Sequence, residues 1–137
     1  MNATSKLLLA ALVTVFLPLT AQCEDKKIEG HIIGYYCAVN NIGCPVDMED
    51  PVIANERIFV ISTGEKQWVF VPNVDRAVLA RHITEMARVT GDLNEKYNSI
   101  QAKTLEVKKG DTWKMVWSQV WEDEFRAKFN VPMGAGK

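Results

Sequence analysis

The stretch ARVTGDLNEKYNSIQAKTLEV, residues 87–107, decides the fold of this chain. Apolar and polar side chains alternate along residues 86–93 and again along residues 99–107, as in β-strands that bury one face. Gly91 interrupts the first of these strands, and a glycine inside a strand is typical of a bend or a bulge. The sequence therefore predicts two consecutive strands, the first of them bent at Gly91.

Residues upstream of this stretch predict three more strands and one helix. Residues 27–36 alternate in the manner of a strand, with glycines on one face. Residues 57–62 and 67–71 are short apolar runs on either side of a TGEK turn, which predicts a hairpin. Residues 72–83 then carry apolar side chains at helical spacing, and Asn73 is the expected N-cap of that helix.

The C-terminal tail predicts a sixth strand and a final helix. Residues 113–118 alternate, with Trp113, Met115 and Trp117 on one side, and Ser118 then begins a helix whose acidic residues precede its basic ones. One helix over residues 113–129 is the alternative, because the aromatic residues there are four apart. Spacing of four drifts by about 40° per step around a helix of about 3.6 residues per turn, so we favour strand then helix.

The aromatic residues of this tail predict either a buried plug or a partner surface. We expect Trp113 and Trp117 to be buried. For the helix, burial and contact with a partner both remain open, and the candidate partner-contact residues are Trp121, Phe125 and Phe129.

Five strands with one helix between the third and fourth follow the order of the OB-fold, a small Greek-key barrel. Residues 28–37, IEGHIIGYYC, and residues 87–107 also resemble small exported bacterial OB-fold proteins, whose Gly-containing first strand leads into a cysteine loop. The matching positions of the later strands are Val89, Thr90, Gly91, Ile100, Ala102 and Leu105, whereas Ala87 replaces the first Val of the pattern.

This resemblance covers residues 28–107 and implies a fold and a compartment. The fold is mainly β: an OB-fold-like barrel of five to six strands, with one helix between strands 3 and 4 and a C-terminal helix. The resemblance implies an exported protein and brings no catalytic residue, because a shared fold does not fix an activity.

Residues 1–23 are typical of a signal peptide, with a basic start, an apolar run over Leu7–Leu17 and small residues before the next charges. The run is shorter than the roughly 20 apolar residues that cross a bilayer, so we expect a periplasmic or extracellular protein that does not span the membrane. Cleavage after Ala21 or after Cys23 fits the small residues. A lipid anchor at Cys23 is a weaker alternative, because Gln22 occupies a position where such anchors have a small residue.

Residues 24–137 are the size of one domain, which we expect to be OB-fold-like with an aromatic C-terminal extension. The formal net charge of the chain is −1, which gives no basic face for nucleic acid. No Ser-His-Asp or Cys-His set stands out from the background, so we expect no catalytic residue and no cofactor.

Cys37 and Cys44 lie in a connection rich in Asn, Gly, Pro and Asp, and they predict a disulfide. An exported domain with an even number of cysteines is most simply a disulfide protein. A structural zinc site favours cysteines two to four residues apart, and thiol exchange favours two intervening residues rather than the six found here. A metal or redox site built from Cys37, Cys44 and His31 is the alternative.

Aromatic side chains on strands 2 and 3 predict a ligand-binding face. OB-fold barrels bind along those strands and the neighbouring loops, and aromatic rings there suit stacking on a ligand. The candidates are Phe59, Trp68, Phe70 and Tyr97; a plain core role is the alternative for the strand residues. Four arginines, Arg57, Arg76, Arg81 and Arg88, either gather into an anion site or lie apart on a solvated surface.

The sequence as a whole predicts an exported, non-catalytic module that binds another protein or a small ligand. The alternative is an envelope protein that handles a metal or a redox reaction through Cys37, Cys44 and His31. A small hydrolase comes last, because the sequence offers no nucleophile set.

Overall fold

The structure, a computed structural model, describes residues 25–44 and 54–129. The predicted signal peptide and the middle of the long connection lie outside the described residues. Within these residues the chain is mainly β, with six strands in one sheet, and with helices. The elements are β1 (Lys26–Gly34), α1 (Tyr35–Asn40), β2 (Phe59–Gly64), β3 (Gln67–Phe70), α2 (Arg76–Ala80), β4 (Met86–Asn94), a 3-10 helix (Glu95–Tyr97), β5 (Ser99–Lys109), β6 (Thr112–Ser118) and α3 (Gln119–Phe129).

The strands lie in the order β3-β2-β1-β4-β5-β6, and all neighbours in this order are antiparallel. One parallel pair, Phe70 with Ser99, also joins β3 to β5. There the Phe70 amide donates a hydrogen bond to the Asn98 carbonyl oxygen at 2.9 Å. The predicted strands are confirmed, and the alternative of one helix over residues 113–129 is wrong.

The core lies on one face of the sheet, because alternation places one apolar set of side chains there. The largest fully buried side chains of this core are Ile32, Ile61, Val89, Ile100, Leu105 and Val107. Val74 and Leu79, before and within α2, pack against the same cluster. Each such aliphatic side chain stabilises the fold by about 1.5–3 kcal/mol when it is fully buried.

Gly91 sits at a bulge, as the sequence predicted. The register between β4 and β5 shifts between Thr90 and Gly91. A Cβ atom at Gly91 would overlap the Gln101 carbonyl oxygen and would lie 2.8 Å from the carbonyl carbon. Gly30 is similarly confined, since a Cβ there would lie 2.8 Å from the carbonyl carbon of Ser62 on β2. At both places two backbones approach so closely that only glycine fits.

Helix α1 covers Tyr35 and Tyr36, which the sequence assigned to the end of the first strand, and the start of the predicted irregular connection. Its Cys37 and Ala38 side chains are buried at the junction with β1 and β2. Gly34 precedes the helix without a side-chain cap, and Asn41 ends it in the left-handed conformation, with φ at 52°. Burial of one face, together with the Glu56 carboxylate, which accepts a hydrogen bond from the Tyr36 amide at 2.8 Å, therefore accounts for this short helix.

Helix α2 is shorter than predicted, and Asp75 rather than Asn73 is its N-cap. The Asp75 Oδ1 atom accepts a hydrogen bond from the Ala77 amide at 2.7 Å. Asn73 instead faces β5, where its side-chain amide donates to the Ala102 carbonyl oxygen at 2.8 Å and accepts from the Ala102 amide at 2.9 Å. The Asn73 side chain, which the sequence assigned to the helix N-cap, thus makes two hydrogen bonds with β5 instead.

A bulge in β6 separates the tryptophans that the sequence placed on one side. Trp117 pairs with Leu105 and Met115 with Glu106, so Val116 is the extra residue. Trp117 is 4% exposed and belongs to the core. Trp113 is only partly buried, and the guanidinium carbon of Arg88 lies 3.9 Å from the centre of its ring. The prediction of burial is thus met by Trp117 and not by Trp113.

Candidate ligand-binding cleft

An open cleft of about 840 Å³ lies between the start of β2, the segment from β3 to α2, and helix α3. Half of its apolar lining residues also belong to the core, because the buried run of β2 begins there and the chain turns from β3 into α2. The apolar lining residues are Ile58, Phe59, Phe70, Val71, Pro72, Val74, Ala77 and Leu79. The volume is within the range of small-molecule sites.

Three arginines and two carboxylates supply the charge of the cleft: Arg57, Arg76, Arg126, Asp75 and Glu122. Both carboxylates already accept hydrogen bonds. Asp75 caps α2, and Glu122 accepts from Arg126 Nε at 2.8 Å and from Trp117 Nε1 at 3.4 Å. The lining therefore has an excess of one positive charge, and its negative groups are engaged with the protein.

The backbone holds one of these arginines in place. Arg76 Nε donates to the Glu56 carbonyl oxygen at 2.6 Å, and its NH2 group donates to the Ala54 carbonyl oxygen at 3.2 Å. Its guanidinium carbon lies 5.5 Å from the centre of the Phe59 ring, within reach of a cation–π contact. Both acceptors are neutral carbonyl oxygens, so these two hydrogen bonds do not neutralise the positive charge of Arg76.

Arg57 is the exposed member of the set. It makes no hydrogen bond or ion pair with the part of the chain that the structure describes. A guanidinium presents five N–H donors in a flat fork that suits carboxylate and phosphate oxygens. Arg57 therefore brings an uncommitted anion-binding group to the rim of an apolar cleft.

Of the four aromatic residues predicted to bind a ligand, Phe59 and Phe70 line the cleft. Phe59 is 4% exposed and is mainly a core residue. Trp68 lies beside Tyr35, with ring centres 5.9 Å apart, and Tyr97 is exposed beyond the end of β4. Neither Trp68 nor Tyr97 is part of the lining, so the structure does not gather the four residues into one site.

The structure brings only part of the predicted arginine set together. Arg57 and Arg76 both line the cleft. Arg81 lies at the end of α2. Arg88 lies on the outer face of the sheet, with its Nε atom 2.8 Å from Glu29 Oε1. Sequence reasoning missed Arg126, which comes from α3. In the sequence, Arg126 is marked only by lying four residues after Glu122. That spacing is equally typical of an ordinary ion pair on a helix surface.

His31, Cys37 and Cys44 do not form a metal-binding group in the structure, nor does any other set of three or more His, Cys, Asp or Glu side chains among residues 25–44 and 54–129. His31 is exposed on β1, while Cys37 is buried in α1. The structure does not join Cys37 to Cys44 by a disulfide. The pairing of the two cysteines stays a prediction.

We expect Cys37 and Cys44 to be linked to each other. The Gly34 amide donates a hydrogen bond to the Cys44 Sγ atom at 3.4 Å, so the chain after α1 returns to the residue that precedes that helix. The bond would close a loop of about eight residues, for which chain entropy predicts about 2.5 kcal/mol of stabilisation. Peptide mapping without reductant should recover one linked pair. Alkylation of Cys44 in the unreduced protein would contradict the prediction.

The partner-contact residues predicted on α3 are all exposed: Trp121, Phe125 and Phe129. They line up along the helix because they are four residues apart. The plug alternative thus fails for this helix among the residues that the structure describes, and the contact alternative remains.

Comparison with known proteins found no matching family model, no similar curated protein and no similar solved structure. In the described part of the chain, no helix combines the length and the apolar character needed to cross a bilayer. A function for this chain therefore has to be inferred from the chemistry of the cleft and of α3.

Proposed function

We propose that this chain is an exported, non-catalytic binding module with an OB-fold-like barrel. Two observations support the barrel. The sheet order places β1 between β2 and β4, and the parallel contact between β3 and β5 links the far ends of the path β3-β2-β1-β4-β5. A small Greek-key barrel places its strands in the same cyclic order, which supports the proposal. The signal-like composition of residues 1–23 supports export.

The ligand of this module has an anionic group and an apolar body, and it occupies the cleft. The observation that carries this proposal is the combination of an uncommitted Arg57, a charged and anchored Arg76 and an apolar floor. Arginine recognises carboxylate, phosphate or sulfonate oxygens through paired hydrogen bonds, and the floor removes apolar surface from water.

The lining of the cleft favours binding over catalysis. Among the described residues that line it, there is no Ser, Thr, Cys, His or Lys side chain to act as a nucleophile or as a base with a pKa near neutrality. Its two carboxylates, Asp75 and Glu122, are occupied as a helix cap and as the partner of Arg126. Asp75 and Glu122 thus hold the helices that line the cleft, and these roles are structural rather than catalytic.

We expect the cleft to bind anilinonaphthalene sulfonate, which joins an aromatic body to an anion, more tightly than it binds the neutral analogue N-phenylnaphthylamine. Arg57→Ala should weaken binding of the sulfonate by about 2- to 5-fold, since an exposed charge contact contributes up to about 1 kcal/mol. The same change should leave the neutral probe almost unaffected. Fluorescence titration of both probes measures the difference.

Two control variants separate the cleft from other sites. Arg81→Ala removes an exposed arginine outside the cleft and should leave both affinities unchanged. Phe125→Ser tests whether the probes bind to the exposed face of α3 instead. Equal affinity for the two probes, or a sulfonate affinity that does not respond to Arg57→Ala, would reject an anion site here.

A further inference from the structure

Helix α3 exposes a row of aromatic side chains that we name the α3 stripe: Trp121, Phe125 and Phe129. Their exposed fractions are 51%, 55% and 57%, and the rings of Phe125 and Phe129 lie 4.6 Å apart between centres. No residue of α3 is buried. An amphipathic helix normally packs such a stripe against the core, so this one is arranged to meet another surface.

The polar side of α3 is the side that holds the helix to the protein. Ser118 Oγ accepts from the Trp121 amide at 3.2 Å, and the Gln119 Oε1 atom accepts from Asn73 Nδ2 at 3.0 Å. Glu122 adds the contact from Trp117 Nε1 at 3.4 Å. These bonds fix the orientation of α3 near its first turn and leave the α3 stripe directed away from the core.

The charges of α3 indicate what covers the stripe. Glu124 and Lys128 are four residues apart and flank the same side of the α3 stripe. Glu124 makes no hydrogen bond or ion pair with the described residues. Lys128 makes none with them either, and its Nζ atom lies 5.7 Å from the centre of the Phe129 ring. If two α3 helices meet in opposite directions, Glu124 of each copy lies beside Lys128 of the other. In a parallel two-fold pair, Glu124 and Lys128 would instead face the other side of the partner's stripe, where Glu122 and Arg126 already pair with each other.

We propose that a second copy of this chain covers the α3 stripe, through an antiparallel pair of α3 helices with Phe125 near the two-fold axis. Trp121 of each copy then packs near Phe129 of the other, as a self-complementary interface requires. The covered area is small. Three aromatic side chains of about 200 Å² each, roughly half exposed, give about 600 Å² for the pair, below the roughly 1,000 Å² of a stable interface. The dimer is therefore weak and depends on concentration.

Sedimentation velocity over a range from low to high micromolar concentration tests this dimer. The full exported chain should show a rising weight-average mass, and Phe125→Asp should remain a monomer throughout. Val120→Asp is the matched control: Val120 is 64% exposed on the same helix but lies off the stripe, so its replacement should leave self-association unchanged. Because these side chains are exposed, all variants should keep the wild-type circular dichroism spectrum.

A charge swap tests the orientation of the pair. Glu124→Lys and Lys128→Glu should each weaken self-association by several-fold, and the double variant should restore it, because the swap regenerates both intermolecular ion pairs. Three results would overturn the proposal: a wild-type monomer at every concentration, a dimer that persists in Phe125→Asp, or a double variant no better than the single ones. A monomer would mean that residues 130–137 or another protein covers the α3 stripe.

Discussion

Replacing Gly91 by valine is expected to lower the free energy of unfolding by about 3 kcal/mol or more, at the upper end of the usual cost of overpacking. The new Cβ would meet the Gln101 carbonyl group and would lie 3.0 Å from the Ala102 Cα atom. Both are backbone atoms, so no side-chain rotation relieves the overlap. The strands β4 and β5 must separate at the bulge, which disturbs the centre of the core. Urea unfolding followed by tryptophan fluorescence measures the loss.

Gly43 provides the matched control for this substitution. A Cβ atom at Gly43 meets no heavy atom within 4 Å. Gly43→Val should therefore change the free energy of unfolding by no more than about 0.5 kcal/mol, as is usual for exposed positions. If Gly91→Val unfolded at the same urea concentration as the wild type, the close approach of β4 and β5 described above would be wrong.

Truncating Trp117 to alanine is expected to cost about 3–5 kcal/mol, the range measured for buried aromatic residues. Trp117 is 4% exposed, packs in the core opposite Leu105, and donates from Nε1 to Glu122 Oε2. Its removal would leave a cavity under β6 and would release one of the bonds that hold α3. Differential scanning calorimetry should show a lower melting temperature.

The other tryptophans of the tail make this prediction discriminating. Trp113→Ala should cost less, because Trp113 is partly exposed and its main contact is the cation–π interaction with Arg88, worth about 0.5–1 kcal/mol at exposed sites. Trp121→Ala in the dilute monomer should have a still smaller effect. Equal losses at Trp113 and Trp117 would contradict the bulge at Val116, since only that bulge puts the two side chains on different faces.

Local sequence patterns predicted the strands because burial of one sheet face imposes alternation on each strand separately. The strands 86–93 and 99–107 and the bulge at Gly91 followed from such patterns. The sixth strand was predictable for a similar reason, since the drift of residues spaced by four argued against one long helix. Each of these features depends on the pattern of residues within one short segment of the sequence.

Features that depend on distant contacts escaped sequence reasoning. Helix α1 has no cap from the residue before it. It forms because Cys37 and Ala38 are buried at the sheet and because the distant Glu56 carboxylate accepts a hydrogen bond from the Tyr36 amide. Asn73 fits the N-cap pattern, but its side-chain amide makes two hydrogen bonds with the backbone of Ala102 instead of capping the helix. The cleft could be predicted only in part, because Arg126 joins Arg57 and Arg76 through the placement of α3.

The two bonds between Asn73 and Ala102 also bear on aggregation. Strand β6 ends at Ser118, opposite Thr104 of β5. Among the described residues, β6 therefore leaves the first part of β5 without a partner strand on that side. Such an edge can recruit a strand from another molecule. Phe70 pairs with Ser99 at one end of this edge, and the Asn73 amide satisfies both backbone groups of Ala102 farther along it. The Asn73 side chain thus occupies the backbone groups of Ala102, which would otherwise be available to pair with a strand from another molecule.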